Sequence, residues 1–315
     1  MEQTRCTRRR LIPVNLITQH QTGLAMTYGR GAILVVIGAV LWSLMGLAIR
    51  QLEVAGTWQV LFWRSLGTLP VLLALIIYRA DGSVLQAFRR VGLTGVVGGV
   101  CLVLAFAGAI YAIQATTVAN AVFLFSASPF LAAILGWLVL REPVRPVTWA
   151  AIGLAGIGMF LMVREGLAAG ALDGNIAALL SSLGFAVFTL TLRWGRLSDM
   201  MPAVVLGGVF SMAIAAVVLA AQGLPLVVPV YDIAISMLMG AGLLALGMVL
   251  YTLGSRVISA AELTLLCMVE VLLAPIWVWL FLNETASPAT FAGGGIVLAA
   301  VVLNALSGAR RRVAA

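Results

Sequence analysis

The chain has 315 residues, of which 63% are hydrophobic and 10% charged, and its formal net charge is +8. Soluble globular proteins contain about 45–50% apolar and about 25% charged residues, so this chain has too much apolar surface for a water-facing fold. The composition therefore excludes a cytosolic enzyme, a secreted domain and a nucleic-acid-binding protein, although the net charge is strongly positive.

The first 28 residues are more polar than the rest of the chain. Four arginines stand among the first ten positions, and Asn15, Gln19, His20 and Gln21 follow. This stretch is too polar for the apolar core of a signal peptide. We predict that residues 1–28 form a disordered cytoplasmic arm, with Met26 as an alternative start of translation.

Ten apolar segments follow the arm. A membrane-spanning helix needs about 20 apolar residues, and backbone groups in hydrocarbon must form their hydrogen bonds internally. We therefore predict an all-α integral membrane protein with ten transmembrane helices. The predicted spans are Gly31–Arg50, Thr57–Tyr78, Val91–Ile113, Thr117–Leu140, Val147–Val163, Gly174–Arg193, Ala203–Gln222, Ile233–Leu253, Ala260–Leu282 and Ala289–Ser307.

The arginines predict the orientation of these spans. All 19 cationic residues are arginine, since the sequence contains no lysine. If the N-terminus is inside, sixteen arginines lie in the inner segments and two at the outer ends, as the positive-inside rule requires. We expect a bacterial cytoplasmic (inner) membrane protein with both termini in the cytoplasm, the basic tail 309–315 included.

An internal repeat relates the two halves of the chain. When Thr117–Gly158 is aligned with Ser259–Ala300 at an offset of 142, thirteen of 42 pairs are identical. The informative pairs are Trp137/Trp279, Glu142/Glu284, Pro146/Pro288, Thr148/Thr290 and Gly153/Gly295. A five-helix unit present twice, over 29–165 and 166–308, would place its second copy upside down in the membrane. Inverted repeats of this kind are typical of secondary transporters.

Two stretches resemble a known family. The segment SASPFLAAILGWLVLREPVRPVTWAAIGLAGIG (Ser126–Gly158) and the segment EVLLAPIWVWLFLNETASPATFAGGGIVLAAV (Glu270–Val301) resemble the repeat cores of the EamA type of the drug/metabolite transporter superfamily. Arg141 and Asn283 stand where that pattern has glycine. The resemblance implies two inverted five-helix repeats and a central cavity lined mainly by spans one, three, four, six, eight and nine. It also implies movement of small metabolites, often outward.

Glu270 is the principal candidate for coupling because it lies near the middle of the ninth span. A charge at that depth is costly and indicates function, and desolvation favours the protonated form of a carboxyl. Glu270 could therefore carry a proton, whereas the alternative is a protonated side chain that bonds a neighbouring carbonyl. Trp277 shares the helical face of Glu270 and would line the same cavity.

Glu262 and Arg64 are two further charged candidates. Glu262 lies one turn inside the ninth span, where it would either interact with the helix dipole or line a vestibule with Arg256. Arg64 lies about 10 Å deep in the second span. It would either reach the outer interface and pair near Arg50 and Glu53, or bind a carboxylate of the substrate.

Polar and proline residues of the fourth and ninth spans complete the candidate set. Asn120 and Ser128 are the repeat equivalents of Glu262 and Glu270, and they would either line the opposite wall of the cavity or bond neighbouring helices. Pro129 and Pro275 would free backbone carbonyls in the preceding turn, either for substrate contact or as packing kinks.

Glu142 and Glu284 stand at equivalent helix ends, each followed by a proline, Pro146 or Pro288. They would act as turn-and-cap residues, with a gate as the alternative.

The sequence offers no parts for a cofactor or metal site. Cys6, Cys101 and Cys267 are far apart with no CxxC motif, the spans contain no histidine, and the missing lysine excludes a P-loop. We therefore expect no enzyme but a transporter, an exporter of amino acids or related compounds above all, with the lipid bilayer and a small molecule as partners. A passive facilitator, an importer, a non-transporting sensor or scaffold, and a homodimer are the alternatives left open.

Overall fold

The computed structural model describes residues 27–79, 84–168, 170–194, 201–255, 257–258 and 260–313. These residues form helices joined by short connections, and none of them forms a strand. Within this described part, ten helices are long and apolar enough to cross a membrane, in agreement with the ten predicted spans. The predicted arm, 1–28, lies almost entirely outside the described residues.

The helices differ from the predicted spans mainly at their ends. Three spans are divided, so the described chain has more helices than membrane crossings. The helices are α1 (Tyr28–Ser43), α2 (Met45–Arg50), α3 (Thr57–Arg79), α4 (Val84–Ala115), α5 (Val118–Phe125), α6 (Ser128–Leu140), α7 (Pro146–Ala168), α8 (Leu172–Trp194), α9 (Met201–Ala221), α10 (Val230–Leu238), α11 (Leu246–Gly254), α12 (Ala260–Leu282) and α13 (Pro288–Val313), and a π-helical segment, Met239–Ala245, joins α10 to α11.

Three spans contain an interruption of the α-helix. The first span is interrupted at Leu44, six residues before its end, between α1 and α2, and the fourth at Ser126 and Ala127 between α5 and α6. The eighth span contains the π-helical segment, a type of irregularity that is often found at functional sites. Irregular backbone occurs at membrane depth only where other protein groups or water form hydrogen bonds with its polar atoms. These interruptions therefore favour a position of the three spans inside the helix bundle.

The ends of the fourth and ninth spans have the same backbone geometry. Arg141 and Asn283 both adopt the left-handed conformation, with φ of 54° and 53°, and among the described residues they are the two non-glycine positions with positive φ. The next amide donates in each case to a carbonyl six residues back, Glu142 N to Gly136 O and Glu284 N to Val278 O, both over 3.2 Å. A left-handed residue closing a helix normally is glycine, which is the residue that the family pattern has here.

Contacts between spans follow a two-fold pattern. If the second half of the chain repeats the first, span one corresponds to span six, span two to span seven, and so on. Span one contacts spans eight and nine, and correspondingly span six contacts spans three and four. Span two contacts span eight, and correspondingly span seven contacts span three. Spans two and seven, four and nine, and five and ten pack on their own equivalents. This network supports a repeat of five spans, whereas the opposite orientation of the halves stays a prediction from the arginines.

Close packing of glycines positions the central spans. Gly38 and Gly247 bring α1 against α11, where a Cβ on Gly38 would lie 3.0 Å from the carbonyl oxygen of Gly247. The Trp42 ring covers this contact and lies 5.6 Å from the Tyr251 ring, centroid to centroid. Small residues allow such backbone approach in membrane helices, and here they bring the divided first span against the eighth.

Candidate functional site

An ion pair joins the two halves of the chain at the end of the first span. Arg50 is the last residue of α2, and its Nε lies 2.9 Å from Oε2 of Glu284, which follows α12. Arg50 Nη2 also donates to the Thr116 carbonyl over 2.7 Å, and the Val118 amide donates to Glu284 Oε1 over 2.7 Å. Glu284 therefore caps α5 as well as pairing with Arg50, and we refer to this region as the Arg50 end.

A second ion pair joins the halves at the end of the sixth span. Arg193, near the end of α8, pairs through Nη2 with Oε2 of Glu142, which follows α6. Gly136 makes room for the pair, because a Cβ there would lie 3.2 Å from an Arg193 nitrogen and 3.3 Å from Glu142 Oε2. We refer to this region as the Arg193 end.

The two ion pairs are reciprocal. A shift of 143 residues takes Arg50 to Arg193, and a shift of 142 takes Glu142 to Glu284. Each arginine thus pairs with the acid of the other predicted repeat. Since successive spans run in alternate directions, spans one and nine end on one side of the bundle, and spans four and six end on the other. The turn-and-cap role predicted for both glutamates accounts for their backbone contacts, but the sequence analysis did not find their arginine partners.

A polar pocket of about 450 Å³ lies at the Arg50 end. Most of its lining side chains carry a charge, an amide or a hydroxyl. The polar and charged lining residues are Arg50, Gln114, Thr116, Thr117, Asn120, Glu284, Ser287 and Thr290. The other lining residues are Ala115, Met162 and Ala171. Ser287 and Thr290 also begin α13, where the Thr290 amide donates to Ser287 Oγ over 3.0 Å.

Asn120 lies in the wall of this pocket and is 4% exposed. Its Nδ2 donates to Oδ1 of Asn175 on α8 and, over 3.2 Å, to Thr116 Oγ1. Asn120 Oδ1 and Asn175 Nδ2 are both buried without a hydrogen-bond partner. Asn120 therefore bonds a neighbouring helix through Nδ2, while its Oδ1 forms no hydrogen bond among the described residues; its role towards a substrate stays a prediction.

Glu270 lies halfway along α12 and is half-buried. Its helix packs against α1, α2, α5 and α13, so the helix that carries Glu270 contacts both the first and the fourth span. Cys267, one turn earlier, is close enough to interact with it electrostatically. Among the described side chains, none forms a hydrogen bond or an ion pair with the Glu270 carboxylate.

Trp277 lies on the same side of α12 and fixes the ninth span to the first. Its Nε1 donates to Ser43 Oγ over 2.9 Å. Ser43 is the last residue of α1, next to the interruption at Leu44. The ninth span therefore contacts the first span next to the interruption at Leu44, two turns from Glu270.

Arg64 is deeply buried in α3, at 4% exposure. Its guanidinium lies 4.6 Å from the centre of the Phe106 ring on α4, in the geometry of a cation–π contact. Nε and Nη2 are buried and have no hydrogen-bond partner. Neither partner considered from the sequence is engaged with it, since Arg50 pairs with Glu284 and Glu53 is exposed.

The remaining candidates are less closely associated with the interior. Ser128 and Pro129 begin α6, so the proline occupies the first helical turn, where it costs no hydrogen bond. Pro275 lies inside α12 and lines a separate apolar pocket of about 150 Å³. Glu262 falls in the first turn of α12, but its side chain and Arg256 lie outside the described residues.

Asn175 and Asp232 are two residues that sequence reasoning missed. Asp232 is fully buried, and its carboxylate accepts the amides of Glu53, Val54 and Ala55 over 3.0, 2.9 and 2.8 Å. It thereby fixes the connection between spans one and two to the start of α10. Both residues stand at span ends, where a polar residue has no distinguishing pattern in a single sequence.

Comparison with known proteins agrees with this architecture. A solved structure, titled only as the crystal structure of a protein, superposes with a TM-score of 0.62 over 88% of this chain and 97% of its own, at 16% identity. That likeness shows the fold alone. A search of curated proteins found no match.

Residues 29–164 match the model of the EamA-like transporter family. The matched residues contain α1 to α6, most of α7 and the Glu142 member of the second ion pair. These residues of the chain therefore resemble the EamA-like transporter family, part of the drug/metabolite transporter superfamily, and the match indicates a membrane transporter of small molecules.

Proposed function

We propose that this protein is a secondary transporter that exports amino acids or related compounds by alternating access, with Glu270 coupling transport to protons. The single observation that carries the proposal is the reciprocal arrangement of the two ion pairs. Arg50–Glu284 and Arg193–Glu142 each join the two predicted repeats, and they do so at opposite ends of the bundle.

Two ion pairs at opposite ends of the bundle can act as the two gates that alternating access requires. If the halves rock about a central site, separating one pair opens the interior to one side while the other pair keeps the opposite side closed. The side chains are 26% and 19% exposed in the Arg50 pair and 45% and 39% exposed in the Arg193 pair. Ion pairs this accessible contribute about 0–1 kcal/mol, so either can separate at low cost.

The position of Glu270 supports proton coupling. A charged carboxylate near the middle of a membrane costs about 2.5–3.5 kcal/mol on insertion scales, and no described side chain compensates it. A proton taken up from one side removes that cost and changes the charge of the interior. Because α12 contacts the first and fourth spans, protonation of Glu270 can alter how the ninth span packs on both of them.

Transport by purified protein in vesicles tests the proposal. The vesicles hold a panel of labelled amino acids and related metabolites, and flux is measured in both orientations with and without a proton gradient. Accumulation driven by the gradient, in the direction that corresponds to export, supports the proposal. Gradient-driven accumulation in the opposite direction identifies an importer, equilibration without accumulation a facilitator, and no flux for any compound contradicts transport.

Glu270→Gln separates coupling from binding. The amide has the same volume and no charge, so the variant should lose gradient-driven accumulation and retain exchange of labelled for unlabelled substrate. Glu53→Gln removes an exposed carboxylate elsewhere and serves as the matched control, with transport unchanged. Normal accumulation by Glu270→Gln would contradict the coupling role.

A further inference from the structure

We infer that the pocket at the Arg50 end is a binding site for a zwitterionic solute. In this site Arg50 takes the carboxylate of the solute, and Glu284 with Asn120 takes its ammonium group. The inference rests on the proposed function in that it names the chemistry of a solute entering or leaving at this end.

The size and lining of the pocket fit a small polar molecule. Its volume of about 450 Å³ falls within the roughly 300–1,000 Å³ of small-molecule sites. A cavity of the same volume with an apolar lining would admit a lipid tail or a hydrophobic compound. Eight of the eleven lining residues, however, are polar or charged, and this favours a ligand that forms hydrogen bonds at several points.

The charges in the pocket are opposite and adjacent. Arg50 Nε and Glu284 Oε2 lie 2.9 Å apart, but Arg50 Nε makes no hydrogen bond of acceptable geometry and is otherwise buried. A zwitterion carries both complementary charges and can satisfy both side chains together. A ligand with one charge would leave one member of the pair without a charged partner.

The Asn120 amide supplies a second acceptor for the ammonium group, beside the Glu284 carboxylate. Its Nδ2 is already used by Asn175 and Thr116, whereas its Oδ1 is buried and unpartnered. An unsatisfied buried acceptor costs about 1–3 kcal/mol, and an ammonium hydrogen of the ligand would remove that cost. Engagement of Arg50 and Glu284 by the ligand would also separate the ion pair, so binding here would favour opening of the Arg50 end.

Binding to the purified full chain tests the inference without requiring transport. Isothermal titration uses nanodiscs of phosphatidylglycerol, which has no ammonium group, and three probes with one hydrocarbon skeleton: leucine, 3-methylbutylamine and 4-methylpentanoate. We expect leucine to bind at least about tenfold more tightly than the cation or the anion. Equal affinity for all three probes would overturn the inference, and so would the absence of leucine binding to the chain in these nanodiscs.

Variants assign the binding to this pocket. Asn120→Asp keeps the side-chain volume and adds a negative charge, so it should shift the preference from leucine towards 3-methylbutylamine. Arg50→Gln combined with Glu284→Gln should abolish the preference for leucine, and Glu53→Gln should leave it unchanged. Unchanged selectivity in both pocket variants, each verified as folded by its thermal transition, would place the zwitterion elsewhere and contradict the inference.

The lipid bilayer is a second source of a zwitterionic group. Replacing the nanodisc lipid by phosphatidylethanolamine, whose headgroup contains phosphate and ammonium, should leave leucine binding unchanged if the site takes a free solute. Loss of leucine binding in that lipid would show that the headgroup occupies the pocket. Leucine binding without vesicle transport would refute the proposed function alone, whereas transport without zwitterion selectivity would refute this inference alone.

Discussion

The buried guanidinium of Arg64 shows what an individual side chain can contribute. Two of its nitrogens have no partner, and its described neighbour is the Phe106 ring. A cation–π contact is worth about 2 kcal/mol when desolvated, which is less than the several kcal/mol that burial of an ion costs. We therefore expect that Arg64 does not increase the stability of the fold, and two of its nitrogens have no acceptor in the described part of the chain.

Replacement of Arg64 by methionine tests this balance. Arg64→Met keeps much of the volume and removes the desolvation cost, so the free energy of unfolding should stay equal or rise, by up to about 4 kcal/mol. Arg50→Met is the matched control and should lower stability, because it leaves Glu284 without its partner. Thermal unfolding in detergent measures both, and a lower midpoint for Arg64→Met would contradict the interpretation.

The position of a charged residue along its span could be predicted from the sequence, but the residues with which the polar side chains interact could not. The position of Glu270 near the middle of its span follows from counting residues, and the structure places it there. The Arg50–Glu284 contact joins residues that are far apart in the chain, and nothing local in either segment specifies the other. The same holds for the Asn120–Asn175 contact, since only the packing of α5 on α8 brings the two amides together.

At the level of elements, close helix packing explains how the irregular eighth span is held. A Cβ on Gly240, in the π-helical segment, would collide with the carbonyl oxygen of Arg64 and lie 2.9 Å from the amide nitrogen of Thr68. The backbones of the second and eighth spans therefore touch directly. The predicted helices had no such irregularity, because π-helical geometry depends on neighbouring helices and has no single-sequence pattern.

Gly240→Ala should separate these two spans. Overpacking of a close interface costs about 1–3 kcal/mol, and the colliding atoms are backbone, which cannot move aside. Gly242→Ala is the matched control in the same segment, since its Cβ would meet only a flexible Leu238 methyl group at 3.3 Å. The thermal midpoint should fall for Gly240→Ala and remain near the wild-type value for Gly242→Ala. Equal midpoints would contradict direct backbone contact.

Helix ends were predictable where they depend on local chemistry. Pro146 and Pro288 begin α7 and α13 as the sequence indicated. The break at Leu44 was not predicted, because the apolar character of the first span continues across it, whereas the break at Ser126 lies in the turn before Pro129, where an interruption was expected. Pro129 marks the second break by occupying the first turn of α6, but Leu44 carries no breaker residue.

For the whole molecule, the number of spans and their order followed from apolarity alone, and the described residues contain ten such spans. The two-fold pattern of contacts between spans and the reciprocal ion pairs support the repeat found at an offset of 142. Orientation in the membrane depends on charges outside the spans rather than on packing, so it is tested separately.

Topology reporters test the inverted orientation of the two halves. A reporter after Arg312 should be active only in the cytoplasm, and one inserted between Asn283 and Ser287 only on the outside, because sixteen of the 19 arginines then lie inside. A third reporter, in the equivalent connection between Arg141 and Arg145, should be active inside. Activity of the 141–145 and 283–287 reporters on the same side would refute inversion.

The central claim is that the Arg50 and Arg193 ends close alternately. Cysteine pairs replace Arg50 and Glu284, or Arg193 and Glu142, in a chain whose three native cysteines are changed to serine. A bifunctional thiol reagent then links one end, and reactivity with a membrane-impermeant maleimide is measured at a single cysteine at the other end. Each variant is first shown to transport before linking.

Linking either end should stop transport and increase maleimide reactivity at the opposite end. Reduction of a cleavable linker should restore transport and return the maleimide reactivity to its level before linking. Transport that continues with both ends linked, or reactivity at each end that does not depend on linking the other, would contradict alternating access through these two ion pairs.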